Sequence, residues 1–427
     1  MTATAYELIR QAAAATVEDL RLDPGRDSDD VKKVVSGAVK DYQRRAHLGH
    51  GRALADTAEM VKRVVSAITD YGPFTPLFGR TDIEEIFIEG SRVSYIDGSG
   101  RLQGVTEPTT ENENRHVVNR LLGETDRHLD TANPIVQARV LDGSARLTAV
   151  IPPVADSLSA TIRRYALRRQ TLAGLIQLGS LPPSAAGFLW ALMQTNASTL
   201  LSGPPGAGKT SLLSALVAAA PPTHCIRAVE EVRELSVPIV HGSYYEARPP
   251  SLDRSGEVAM RDLVKVVLAM RPDRIVVGEV RGAEAFELTR AANAGCGFSC
   301  TVHANSARDA LNALVNAAMM AGENVAEPVV RKVFSTTIDV VVHLDRDAIP
   351  PDGADGLRRQ VMEILAVVPA MGDDFTTEPL FVRDSIGDPL QWTGALPPSA
   401  TTRMIERSLP GNLDLREILE GRRMPAI

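Results

Sequence analysis

The chain has 427 residues, 44% of them hydrophobic and 23% charged, with a formal net charge of −7. That length implies two or more domains, and the composition is ordinary for a soluble globular protein. The acidic balance argues against a chain built mainly to coat nucleic acid, and with no apolar run of about 18 residues there is no transmembrane helix.

Met1 to Asp19 holds one Arg and no apolar core followed by a small-residue cleavage site, so no signal peptide is expected. Cys225, Cys296 and Cys300 make no disulfide framework, which points to a reducing cytoplasm. Residues 1–70 alternate apolar and charged positions at helical spacing, with an acidic break at Asp27 to Asp30. Gly72-Pro73-Phe74 ends that helical extension. From Ile83 the period changes: Ile86, Ile88, Val93 and Tyr95 read as strand positions between glycine turns. Residues 111–128 read as a helix, and Val136 to Ile151 as strands around an Asp142-Gly143 turn. Residues 73–165 are therefore expected to form a small α+β domain, and 166–184 a linker. From 185 to 345 strands alternate with helices, the mark of an α/β domain with a parallel sheet covered on both faces. Residues 346–427 read as a looser C-terminal extension with strand-like runs such as Val361 to Val368.

Gly203-Pro204-Pro205-Gly206-Ala207-Gly208-Lys209-Thr210 is a complete phosphate-binding loop, G-x-x-x-x-G-K-[ST]. Glycines let the backbone curl so that successive N–H groups face phosphate oxygens. Lys209 supplies a point charge for the β- and γ-phosphates, and the Thr210 hydroxyl a ligand for Mg²⁺. The apolar run Thr199 to Ser202 precedes the loop, and a helix from Ser211 to Ala220 follows it. That order sets a helix N-terminus against the phosphates. ATP and Mg²⁺ are the expected substrate and cofactor.

Such a loop needs a second strand ending on an acid near the metal. Arg274-Ile275-Val276-Val277-Gly278-Glu279 supplies one, and Glu279 could join the Mg²⁺ shell or polarise the attacking water. Ile226 to Glu231 is another strand-like run, closing on the carboxylates Glu230 and Glu231. A glycine turn at Gly295 to Gly297 then delivers a strand ending on His303. Cys296, Cys300 and His303 could be three metal ligands, but no fourth is near and the spacing is not a usual zinc pattern. The better reading is a phosphate sensor, with His303 or Asn305 bonded to the terminal phosphate.

In their order these motifs, with Arg248-Pro249-Pro250, Met270-Arg271-Pro272-Asp273, Gly278 to Gly282 and His303-Ala304-Asn305-Ser306, resemble the type II/IV secretion ATPase superfamily, nearest to the CpaF-type motor of Tad (Flp) pili. The likeness covers about residues 60 to 370. It implies a RecA-like ATPase domain, a PAS-like N-terminal domain and a homo-hexameric ring at the cytoplasmic face of the inner membrane. The ring would work on a membrane platform protein, without direct nucleic-acid binding. By resemblance, Glu230 and Glu231 are the acidic box, Glu279 the Walker B acid and His303 the histidine box. Arg146, Arg163, Arg164, Arg248 and Arg271 become candidates for phosphate contacts, some across subunits, and Ser211 completes the loop. The chain departs from the family pattern at Ala269, Cys296 and Gln137. Two rival readings are a nucleic-acid-driven motor and a nucleotide-gated scaffold with little turnover.

Overall fold

The computed structural model describes residues 4–24, 26–98, 100–105, 108–164, 170–235, 237–248, 256–322, 324–347, 358–369 and 374–426, and the chain divides into two units, Met1–Ala166 and Leu167–Ile427. Pro249 and Pro250 of the arginine motif lie outside the described residues.

The first unit opens with three helices, α1 (Ala5–Asp19), α2 (Ser28–His47) and α3 (Thr57–Thr69). Thr4 and Glu7 form a capping box at the start of α1, which satisfies two N–H groups that the helix cannot. Val31, Val35 and Val39, spaced one turn apart on α2, pack with Ile9, Ala13 and Val64 in a separate small core. A 3₁₀ turn (Gly72–Phe74) and α4 (Thr75–Gly79) lead into β1 (Ile83–Glu89), β2 (Arg92–Asp97) and β3 (Leu102–Gly104). Then come α5 (Glu111–Leu122), β4 (Ile135–Val140), β5 (Ala145–Val150) and β6 (Ser159–Arg164). The six strands pair antiparallel in the order β3-β2-β1-β6-β5-β4. Alternation sends Ala145, Leu147 and Ala149 inward to meet Val118 and Leu121 of α5. Arg63 of α3 forks onto the buried Glu113 of α5 through two 2.7 Å bonds, tying helices to sheet. The helix expected over 111–128 stops at Leu122. Gly123 follows as its cap, and Thr125 donates through Oγ1 to the Leu122 carbonyl that another turn would have used.

The second unit begins with α6 (Leu172–Gln177) and α7 (Pro183–Met193). It continues with β7 (Ser198–Ser202), α8 (Lys209–Ala219), β8 (Cys225–Glu230), β9 (His241–Glu246), α9 (Met260–Leu268) and β10 (Arg274–Val277). Next are α10 (Glu284–Asn293), β11 (Gly297–Val302), α11 (Ala307–Met319), α12 (Glu327–Thr337) and β12 (Ile338–Arg346). β13 (Arg359–Val368), β14 (Thr376–Val382), β15 (Gln391–Trp392), α13 (Ser399–Ser408) and α14 (Leu415–Leu419) complete it. Nine strands form one sheet in the order β15-β14-β13-β12-β7-β11-β10-β8-β9. From β12 to β9 neighbours run parallel, and β13 to β15 add antiparallel. Strands from the segment beyond residue 346 thus continue the sheet of the α/β domain. Each central strand is apolar on both sides. Leu201 and Val276 face α7, α8, α13 and α14, whereas Leu200, Ile275 and Val277 face α9 to α12.

Two polar features hold this frame. Arg274, fully buried at the start of β10, donates to the carbonyls of Thr195 and Ala197 at 2.7 Å each and to Ser299 Oγ at 3.0 Å. Burial lowers its guanidinium to about 10. Ser180, between α6 and α7, is stitched to β13. Its hydroxyl donates to the Arg359 carbonyl and its own carbonyl accepts from Val361 N–H, while Gln360 Nε2 reaches Gly179 O. Replacing Arg274 with Leu leaves two buried carbonyls and a hydroxyl without that donor. The expected loss is on the order of 3 kcal/mol, read as a lower urea midpoint at unchanged slope.

Candidate active site

Parallel pairing sets the ends of β7, β11, β10 and β8 along one edge of the sheet. The glycine loop leaves β7 there and enters α8 directly. Gly206 and Gly208 hold φ of 75° and 94°, left-handed values that a side chain would oppose. At Gly203 a Cβ would stand 2.2 Å from the Leu344 carbonyl of β12, so only glycine passes. Beneath the loop Ser202 Oγ lies 2.9 Å from Nδ1 of buried His343, whose imidazole burial keeps below its ordinary value.

Lys209 is buried, and its ammonium donates to the carbonyls of Gly203 at 2.8 Å and Pro204 at 3.0 Å. It also lies 3.3 Å from His303 Nδ1, while His303 Nε2 lies 2.8 Å from Glu279 Oε1. Arg281 forks onto both Glu279 oxygens at 2.7 and 3.0 Å and reaches Glu231 at 3.0 Å. Lys209, His303, Glu279, Arg281 and Glu231 are thus one hydrogen-bonded chain. Burial and then the Lys209 charge push the His303 imidazole down, with Glu279 pulling the other way. The neutral ring then donates from Nε2 to Glu279 and accepts from Lys209 at Nδ1. Burial alone would raise the Glu279 carboxyl. The bond to Arg281, with the charges of Arg281 and Lys209 and the His303 ring beside it, outweighs it and holds the carboxyl below the usual range.

Local structure fixes these positions. Gly278 N–H donates to Val229 O, Thr301 Oγ1 donates to Gly278 O, and Val280 N–H donates to Thr301 O, so Glu279 is clamped between β8 and β11. Glu284 gathers the N–H groups of Arg281 and Gly282 at 2.6 and 2.8 Å. Thr210 and Ser211, the next residues of α8 after Lys209, are both half-buried. A carboxylate and an ammonium are joined through His303 beside backbone N–H groups at a helix start, and a threonine hydroxyl follows the ammonium in the chain. That set of donors and acceptors fits a metal-bound polyphosphate.

The other residues singled out from the sequence stand apart from this chain of bonds. Glu230 is buried and turned away: it accepts from the N–H groups of Glu234 and Leu235 and packs on Gly278. Burial raises its carboxyl to about 7, against those two bonds. Arg271, exposed and at φ 50°, precedes β10 and so sits at the opposite edge of the sheet, roughly 13 Å of strand away. Arg248, exposed, pairs with Val258 just beyond the edge strand β9. In the first unit Arg146 and Arg163 are abreast on β5 and β6, with Arg146 bonded to Gln137 Oε1 at 2.7 Å and Arg163 3.5 Å from Glu85. Arg164 is bonded to the carbonyls of Leu77 and Arg80. Among the described residues no three His, Cys, Asp or Glu side chains group as metal ligands, and Cys296 and Cys300 are buried in the sheet core. Arg281 carries more of the site than the sequence reading gave it. Its position two residues after Glu279 was the available signal.

A family model described as Type II/IV secretion system protein matches residues 83–362. The chain belongs to that family. A Mycobacterium tuberculosis protein provisionally named for conjugal transfer is 33% identical over 315 residues, covering 71% of this chain and 86% of the relative. The type IV secretion system protein PtlH homolog of Bordetella bronchiseptica is 29% identical over 316 residues, covering 68% and 91%. A solved structure of the ATPase DotB from Legionella pneumophila aligns at a TM-score of 0.48 and 19% identity, covering 67% of this chain and 77% of that one. No helix among the described residues is long and apolar enough to cross a membrane.

Glu230 gives this member of the secretion family a measurable signature. Its folded carboxyl is raised from 4.5 to about 7, so its stabilising contribution is complete below pH 4.5 and lost as pH rises through 7. Glu230→Gln keeps the acceptor and removes the charge. Its melting temperature should gain on the wild type between pH 5 and 7.5 and then run parallel; a gap independent of pH would refute the assignment.

Proposed function

We propose that the chain is an ATP-hydrolysing motor subunit that powers secretion or pilus assembly across a bacterial envelope, of the CpaF type that serves Tad pili. The observation carrying this reading is the hydrogen-bonded run from Lys209 through His303 to Glu279, set beside a complete glycine loop at the C-terminal edge of a parallel sheet. Family membership and the relatives' names, which concern secretion and conjugal transfer, support the same direction.

In this reading Gly203 to Ser211 cradle the phosphates through backbone N–H groups and Lys209 neutralises the β/γ end. Thr210 and Glu279 would hold Mg²⁺, which would supply charge neutralisation to the phosphates when bound. Lys209 leaves the carbonyls of Gly203 and Pro204 for the phosphates. His303, bonded to both Lys209 and Glu279, senses that move. Arg281, forked onto both Glu279 oxygens, would have to loosen its hold for Glu279 to serve a cation, because its positive charge competes for the same carboxylate. Water is oriented by Glu230 or Glu279. Glu279 is the one already in the chain of bonds, and Glu230 waits behind it with a carboxyl near neutral pH, as a base requires. Arg248 and Arg271, remote from the chain's own loop, serve a neighbouring subunit. The assembly is a homo-hexameric ring at the cytoplasmic face of the inner membrane, acting on a platform protein.

Mg²⁺-dependent phosphate release from ATP tests this. Wild-type turnover should rise with protein concentration, since neighbours complete each site, and Lys209→Ala should abolish it. His303→Ala should lower turnover by about 10²-fold or more while ATP still binds. ATP binding with no turnover at any concentration would sink the motor and leave a nucleotide-gated scaffold.

A further inference from the structure

The run of Lys209, His303 and Glu279 occupies one flank of the glycine loop, the side of β11 and β10. The other flank belongs to β12 and β13, and two arginines stand on it. Arg346 ends β12 and Arg359 begins β13, and the antiparallel register sets them directly opposite each other. Both lie against the loop. A Cβ at Gly206 would sit 3.2 Å from Arg346 Nη1 and 3.4 Å from its Cζ; one at Gly208 would sit 3.8 Å from Arg359 Cδ. The Arg346 guanidinium is therefore laid over the backbone of the loop's middle glycine.

Nothing in the fold accounts for that placement. Like charges directly opposite on neighbouring strands are destabilising. The acid nearest in sequence, Asp345, accepts from the Arg346 backbone N–H at 2.7 Å. Among the described residues the exposed Arg346 guanidinium forms no ion pair or side-chain hydrogen bond of its own. The strand pair is also firmly held: the start of β13 is bonded to Gly179 and Ser180, and β12 abuts Gly203 through Leu344 O. A cation on a firmly held strand pair, laid over a phosphate-binding backbone, is an anion ligand whose partner is not protein.

We propose that Arg346, with Arg359 beside it, binds the α/β-phosphate and ribose end of the nucleotide. This rests on the nucleotide reading above and deepens it. The acids and His303 crowd the opposite flank, where the γ-phosphate and metal belong. The Arg346 flank is left with the portion of the nucleotide that hydrolysis does not change. Arg346 thus holds ATP and ADP alike and slows ADP release, whereas His303 tells them apart. A planar five-donor fork suits that task better than an ammonium.

Calorimetric titration of the full chain with ADP and with a non-hydrolysable ATP analogue, both with Mg²⁺, separates the cases. Arg346→Ala should raise both Kd values by the same factor, about tenfold or more. Arg346→Lys should recover part of the loss. His303→Ala should change the ratio of the two Kd values. An unchanged melting temperature without nucleotide establishes that Arg346→Ala is folded, as its exposed side chain leads us to expect. Wild-type binding with Arg346→Ala unchanged, or a loss confined to the ATP analogue, would overturn this inference alone. A wild-type chain that binds neither nucleotide would remove the nucleotide reading and this inference with it.

Discussion

A guanidinium with no water around it sets the frame of the second unit. Arg274 bonds the turn before β7 and a side chain of β11 from its own place on β10. Three parallel strands are thereby fixed in register from their N-terminal ends. The reactive groups all stand at the opposite ends. A slip of one residue there would reverse which side chains face each core and move Glu279 and His303 by about 3.3 Å along the edge. Apolar burial alone would tolerate several registers of runs as uniform as Ile275 to Val277. The buried donor set selects one of them.

The electrostatics of the edge follow from the same alignment. Lys209 and Arg281 flank His303 and Glu279, and the carboxylate stays ionised despite its burial because two cations and an imidazole donor surround it. Glu230, three strands away from the loop, has no such company and takes up a proton near neutrality. Two carboxylates at the ends of neighbouring strands therefore shift in opposite directions, set by what packs against them.

Features written in consecutive residues were legible before the fold. The loop Gly203 to Thr210 names its own chemistry, and the apolar run before it and the helix after it follow from local pattern. The alternation of strands and helices gave the parallel sheet. Features that arise from register or side-chain direction were not legible. No spacing announces that Glu230 turns to the N–H groups of Glu234 and Leu235. The pairing of Arg281 with Glu279 depends on a turn held by Glu284. The confrontation of Arg346 with Arg359 joins residues 13 apart and appears only when β12 and β13 are paired. The length of α5 was overread because the residues after Gly123 keep a helical composition, while one glycine and one threonine end the helix.

The stitching of Ser180 to β13 has a mechanical meaning. Bonds from Gly179 and Ser180 to Arg359, Gln360 and Val361 lie side by side rather than in series. A load entering the second unit along the chain at residue 170 is shared among them before it reaches the hydrophobic layers. It arrives on the strand that starts with Arg359, next to the glycine loop. The turn between α6 and α7 is thus coupled in shear to one wall of the site, and tension on that turn and occupancy of the loop act on the same strand.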